Sequence, residues 1–178
     1  QINHQSLIAT KTQRIVKAAD GRPVSDFGAR RAHNMDAAVY GARAAYIGGA
    51  AGTATVLAGK QFGIPVGGTM AHSYVMYYQD ELTAFRKYAA IYPDNCILLV
   101  DTIDVLKSGV RHAVEVFREM QAAGIPLTVY GIRLDSGDLA YLSKKARKML
   151  DEAGFPDARI VVSNSLDEYT ITSILDQG

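Results

Sequence analysis

Two kinds of segment alternate along the chain. Short extended runs sit at 24–27, 64–69, 97–100, 127–132 and 160–162, the clearest being Cys-Ile-Leu-Leu-Val at 96–100. Between them lie longer stretches whose apolar residues recur every three or four positions, the spacing of an amphipathic helix. The opening stretch carries Leu7, Ile8, Ile15, Val16 and Ala19, and it closes at Asp20-Gly21-Arg22-Pro23. Further helices are predicted over 36–46, 53–61, 73–90, 104–123, 138–153 and 167–177. Gly48 and Gly49 stop the second helix, Thr53 is the predicted N-cap of the third, and Tyr92-Pro93 follows the fourth. Gly124 and Gly154 close the fifth and sixth.

Short apolar strands alternating with helices of this length predict βα units and a parallel sheet, hence the α/β class. A barrel and an open doubly wound sheet share this rhythm, and the pattern alone leaves both open. No linker, low-complexity stretch or sequence repeat interrupts it. The first residue is not Met, the chain opens inside a helical pattern, and it ends on a helix stop at Gly178. These features predict a piece truncated at both ends, forming a single partial domain over 1–178.

Composition narrows the function classes. Nineteen Lys and Arg against eighteen Asp and Glu leave a net charge of +1, which gives no electrostatic footprint for nucleic acid. The chain is 48% apolar and 21% charged, as in ordinary globular proteins, and no apolar run approaches the length that spans a bilayer. Cys96 is the only cysteine and lies in an apolar strand. With no signal peptide at the start, it reads as a buried thiol of a reducing, cytoplasmic compartment.

The chemistry gathers where the strands end. Arg30 follows the first run, His72 the second, Asp101 the third, Arg133 and Asp135 the fourth, and Ser163 and Asn164 the fifth. From His72 onward these positions recur at intervals of about 30 residues, roughly one βα unit. In parallel α/β folds the strand C-termini face one side and build the site there, so residues far apart in sequence converge. Arginines suit phosphate or carboxylate, and aspartates suit sugar hydroxyls or Mg²⁺. The set fits an anionic substrate that carries a sugar.

Five motifs carry a family resemblance: Phe-Gly-Ala-Arg-Arg-Ala-His (27–33), Gly-Thr-Met-Ala-His-Ser (68–73), Leu-Val-Asp-Thr-Ile-Asp (99–104), Arg-Leu-Asp-Ser-Gly-Asp-Leu (133–139) and Ser-Asn-Ser-Leu-Asp-Glu (163–168). In order and spacing the chain resembles the nicotinate phosphoribosyltransferase family over nearly its whole length. The resemblance implies part of an irregular parallel, TIM-like α/β barrel. It implies an enzyme of NAD biosynthesis that joins nicotinate to phosphoribosyl pyrophosphate, releases nicotinate mononucleotide and pyrophosphate, and is driven by ATP hydrolysis with Mg²⁺. It further implies a homodimer in full length and no nucleic-acid or membrane partner. Carried over residue by residue, the phosphorylated histidine falls on His72 and the aspartate that orients it on Asp101. Arg30, Thr69, Arg133, Asp135, Ser163 and Asn164 fall on substrate contacts. The Mg²⁺ ligands are left unassigned. Ile103 stands where the family usually has Tyr, a change expected to alter packing rather than chemistry. The family's N-terminal tyrosine motif and C-terminal Gly-rich phosphate loop have no counterpart here, so the isolated piece is expected to be poorly active.

Other readings stand beside these. His72 could cap a helix start, and Arg133 could form a structural ion pair with Asp135 or Asp138. His4, His33 and His112 read as structural or exposed, and Asp138 as a helix cap. Tyr74, Tyr77, Tyr78 and Tyr88 read as helix packing, and the basic run at 144–148 as a solvated face. A sister nicotinamide or quinolinate phosphoribosyltransferase shares the barrel, although a quinolinate enzyme has no phosphohistidine. A non-catalytic scaffold that keeps the motifs is the alternative of a different class.

Overall fold

The apolar run at 96–100 becomes the edge of a three-stranded parallel sheet in the computed structural model, which describes residues 2–178. Gln1, within the predicted opening helix, lies outside the described residues. The chain divides into two compact units, one comprising the residues up to Gly68 with Leu166–Asp176, the other Thr69–Ser165 with Gln177–Gly178. The architecture is mixed α/β, with parallel strands in two small sheets.

In the first unit, α1 (Ile2–Ala18) packs against α2 (Met35–Ile47) and α8 (Glu168–Asp176). The His4 ring meets the Ala37 carbonyl at 3.1 Å, the structural role predicted for it. Strands β1 (Ser25–Asp26) and β2 (Gly52–Thr53) pair in parallel. Thr53, expected as a helix cap, instead lies in β2 and is buried. Its hydroxyl donates to Asp26 Oδ2 at 2.8 Å, and α3 (Val56–Phe62) starts three residues later. The run at 64–69, expected as a strand beside the later ones, makes only a parallel bridge from Val66 to Thr53. Pro65 has no N–H to donate, and Gly67-Gly68 presents no side chains to pack, so the ladder stops there.

The second unit carries the larger sheet, ordered β3 (Cys96–Leu99), β4 (Tyr130–Leu134), β5 (Arg159–Val162). Leu99 lies opposite Arg133, and Arg133 opposite Val161. Strand β4 begins later than the apolar pattern suggests. Its neighbour starts only at Cys96, opposite Tyr130, so Leu127 and Thr128 have no strand to pair with. Helices α5 (Glu81–Ile91), α6 (Val110–Ala122) and α7 (Leu139–Glu152) pack on the strands. Phe117 and Phe155 meet Tyr130 edge-on at 5.1 and 6.1 Å between ring centres. Cys96 is fully buried, and that burial pushes its thiol up to about 12, so it stays protonated at neutral pH.

Two predicted helices are interrupted. The stretch 73–90 splits into α4 (His72–Tyr77) and α5, because the Asp80 carboxylate accepts from the Thr83 N–H at 2.7 Å and starts a new helix. The stretch 104–123 opens on a π-helical turn, Val105–Gly109, capped by Asp104, before α6. That turn lies tight on the end of β3. A Cβ on Gly109 would sit 2.0 Å from the Val100 carbonyl oxygen, a backbone atom that cannot step aside. Gly109→Ala is therefore expected to destabilise the protein by about 3 kcal/mol, the upper range for overpacking. Urea denaturation checks it, and an unchanged midpoint would mean that this turn can lift off the strand.

Candidate active site

Side chains on a strand alternate between faces. On β4, Tyr130 packs on Phe117 and Phe155, so Ile132 and Leu134 share that helix-covered face and both are fully buried. Arg133 points to the other face, and its side chain is 12% exposed. Two residues past the ladder row of Leu99, Arg133 and Val161 come Asp101, Asp135 and Ser163. The register thus delivers three polar groups from three successive strand ends to one rim, as the spacing predicted.

Arg133 is the hub. Its Nη1 donates to Thr69 Oγ1 at 2.7 Å and to the Met70 carbonyl at 3.1 Å. Its Nε donates to Ser163 Oγ at 2.9 Å, and its Nη2 lies 3.1 Å from Asp135 Oδ1. The ion pair read from sequence as the alternative role is thus present, with Asp135 as its partner. Ser163 in turn donates to Asp135 Oδ1 at 2.5 Å. Burial alone would raise the Asp135 carboxyl. The Ser163 hydroxyl and the Arg133 guanidinium, helped by His72, outweigh it and hold the group below the usual carboxylate range.

His72 is the first residue of α4, and its Nε2 lies 3.0 Å from Asp101 Oδ1. The Asp101 side chain is 1% exposed. Its other oxygen, Oδ2, accepts from the Asp135 N–H at 3.1 Å and from the Ser136 hydroxyl at 2.5 Å. An ionised carboxylate only accepts, so with Asp101 ionised the imidazole donates at Nε2. Nδ1 then keeps its lone pair, on the side of Asp135 Oδ2, 4.0 Å away. An imidazole held at one nitrogen and bare at the other is a nucleophile.

The predicted residues Thr69, His72, Asp101, Arg133, Asp135 and Ser163 therefore form one network. Asn164 does not join it in the same way: its Oδ1 accepts from the Ser165 hydroxyl at 3.2 Å, and both residues have positive φ, +90° and +50°. For non-glycine residues such backbone is strained. Arg30 belongs to the first unit, exposed on a 3₁₀ turn (Ala29–Arg31) that follows the Asp26 carboxylate bonded to the Gly28 N–H at 3.0 Å. Asp138 is a cap, accepting from Tyr141 N–H at 3.0 Å. His112 is structural, its Nδ1 lying 2.8 Å from buried Glu81. Ile103 is 69% exposed. Sequence reasoning missed Ser136 and the Met70 carbonyl. Ser136 lay within a quoted motif, but only the register shows that its hydroxyl faces Asp101. Among the described residues, no group of three or more His, Cys, Asp or Glu side chains could hold a metal ion.

Removing Arg133 leaves Asp135 mostly buried and without its cation. Arg133→Ala is expected to cost about 3 kcal/mol at neutral pH, the scale for breaking a buried pair. The Asp135 pKa is lowered in the fold, so the stability it confers is present above the unfolded value of about 3.9 and fades as pH falls through the lower folded value. The gap between wild type and variant should therefore narrow below about pH 4. Urea titrations at pH 7 and pH 3 measure it, and an equal gap at both would remove Asp135 from the account.

Comparison with known proteins bears on this network. The model of the nicotinate phosphoribosyltransferase (NAPRTase) family matches residues 23–177. A nicotinate phosphoribosyltransferase of Bacillus subtilis is 56% identical over 177 residues, covering 99% of this chain and 35% of its own length. One from Mycobacterium tuberculosis is 50% identical over 175 residues, covering 98% and 37%. Among solved structures, human nicotinic acid phosphoribosyltransferase superposes with a TM-score of 0.81 at 26% identity, over 95% of this chain and 44% of that one. The nicotinate-nucleotide pyrophosphorylase of Pyrococcus furiosus gives 0.79 at 31% identity, over 97% and 44%. The chain spans about a third of the length of these curated relatives.

Proposed function

The chain belongs to the nicotinate phosphoribosyltransferase family, and we propose that it is the part of such an enzyme that carries the phosphorylation and ribose-binding residues. In this reading it contributes to an irregular α/β barrel of a longer cytoplasmic, homodimeric protein. That protein forms nicotinate mononucleotide and pyrophosphate from nicotinate and phosphoribosyl pyrophosphate, driven by ATP, in NAD biosynthesis. The observation that carries the reading is the His72–Asp101 bond, set beside Arg133, Asp135 and Ser163 on one rim.

Each residue takes a role its chemistry suits. His72 Nδ1 attacks the γ-phosphorus of ATP; a P–N bond forms, the bond to the bridging oxygen breaks, and ADP leaves. Asp101 holds the Nε2 proton and steadies the positive ring while the phosphoryl group is attached. Arg133 meets an anionic substrate group through donors already fixed by Thr69, Met70 and Ser163. Asp135, kept ionised, accepts from ribose hydroxyls. Thr69 contacts nicotinate, Ser163 and Asn164 belong to the loop beside the nucleotide, and Arg30 meets the phosphoribosyl donor. Among the described residues the rim offers no protein cage for Mg²⁺. We read that ion as arriving on the substrate polyphosphates, where it offsets their charge.

The test is product formation. The full-length protein is supplied with nicotinate, phosphoribosyl pyrophosphate and ATP, and nicotinate mononucleotide, pyrophosphate and acid-labile phosphoprotein are assayed together. Product without any phosphoprotein would sink the phosphohistidine, and label without product would leave only an ATP-dependent phosphorylation.

A further inference from the structure

We infer that Ser136 is a positioning residue for His72: its hydroxyl pins one oxygen of Asp101 so that the other stays against the imidazole. The assignment rests on the reading of His72 as the phosphoryl acceptor.

The two oxygens of Asp101 serve different elements. Oδ1 faces His72 on α4, and Oδ2 faces the loop after β4, taking the Asp135 N–H and the Ser136 hydroxyl. Asp101 is buried, whereas Ser136 is exposed, so the hydroxyl reaches the carboxylate from the solvent side. The loop is set to deliver it. Gly137 adopts φ +78°, where an added Cβ would also meet Leu142 at 2.8 Å, and Asp138 caps α7 immediately afterwards. A carboxylate held by the backbone N–H alone could pivot about that single bond. Two donors from adjacent residues fix its plane, and with it the direction of Oδ1.

The charged groups facing His72 are Asp101 and Asp135, with Arg133 on the far side of Asp135. The rest of α4 (Ser73–Tyr77) carries no charge. Without the Ser136 hydroxyl, Asp101 is free to turn Oδ1 away from Nε2. The ring then loses the partner that keeps its proton on Nε2, and the tautomer with hydrogen on Nδ1, which cannot attack phosphorus, gains.

The experiment compares Ser136→Ala and Ser136→Thr with wild type. Histidine side-chain NMR reports which ring nitrogen of His72 carries the proton, and γ-labelled ATP follows the rate of phosphorylation in the full-length protein. In Ser136→Ala the Nδ1–H form is expected to gain at the expense of Nε2–H, and labelling at neutral pH to fall about tenfold. Ser136→Thr, which keeps the hydroxyl, restores both. An unchanged tautomer in Ser136→Ala overturns the assignment, as does a variant that only loses thermal stability. A tautomer change reversed by Ser136→Thr, in a protein that never accepts label, supports the hold on His72 and sinks the phosphoryl reading instead. Should Ser136→Ala not fold, Ser136→Cys, a weaker donor of similar size, is read by the same spectra and should shift the tautomer in the same direction.

Discussion

In the full-length protein of the proposed reading, replacing His72 with alanine is expected to reduce acid-labile label from γ-labelled ATP to background. The methyl side chain has no lone pair to accept phosphorus, and no second imidazole joins the network described above. Phosphoribosyl transfer should persist at a reduced level, because Arg133, Asp135 and Ser163 hold one another without help from the ring. The expected signature is a separation of two activities: product formation continues while its coupling to ATP hydrolysis is lost. Label measured beside pyrophosphate release checks this. Wild-type label on His72→Ala would assign the phosphoryl group to another residue.

Asp101→Asn should cost nearly as much while changing almost nothing in shape. The position of Oδ2 is met by two donors, the Asp135 N–H and the Ser136 hydroxyl, so the amide oxygen must turn toward them. The amide NH₂ then faces His72 Nε2, where a proton now sits. The ring must give up that proton and carry one on Nδ1, the nitrogen that would attack. We expect phosphorylation to fall on the order of ten-thousandfold, the scale of a wrong imidazole tautomer, with substrate KM little changed. Single-turnover labelling at saturating ATP measures the rate, and side-chain NMR reports which nitrogen holds the proton. A variant that labels within about tenfold of wild type would show that tautomer choice does not limit the step.

The sheet of the second unit was legible because its strands are short apolar runs separated by helices of about one unit's length. Asp101, Arg133 and Ser163 were legible as polar residues where such runs end, and the resemblance supplied roles that burial and spacing could not. Other features depend on competitions that no periodicity records. At Asp80 a side-chain cap outcompetes helix continuation although the apolar spacing runs straight through. At 64–69 an apolar run makes only a bridge because Pro65 has no N–H, the two glycines have no side chains, and the Pro65 carbonyl and Gly67 N–H are both taken by Thr53. The role of Ser136 emerges only when strand register sets the β4–α7 loop beside the end of β3.

The alternation along β4 has a consequence for folding fidelity. Ile132 and Leu134, both fully buried, flank Arg133, which lies on the opposite face. A slip of one residue would press the guanidinium into the helix-packed layer and turn two large aliphatic side chains toward the polar rim. Mispaired sheets therefore carry a buried, unpartnered cation and are rejected while the chain is still searching. The arginine assigned to substrate thus also proofreads the strand that presents it. Selection for activity and selection for correct pairing act on the same side chain.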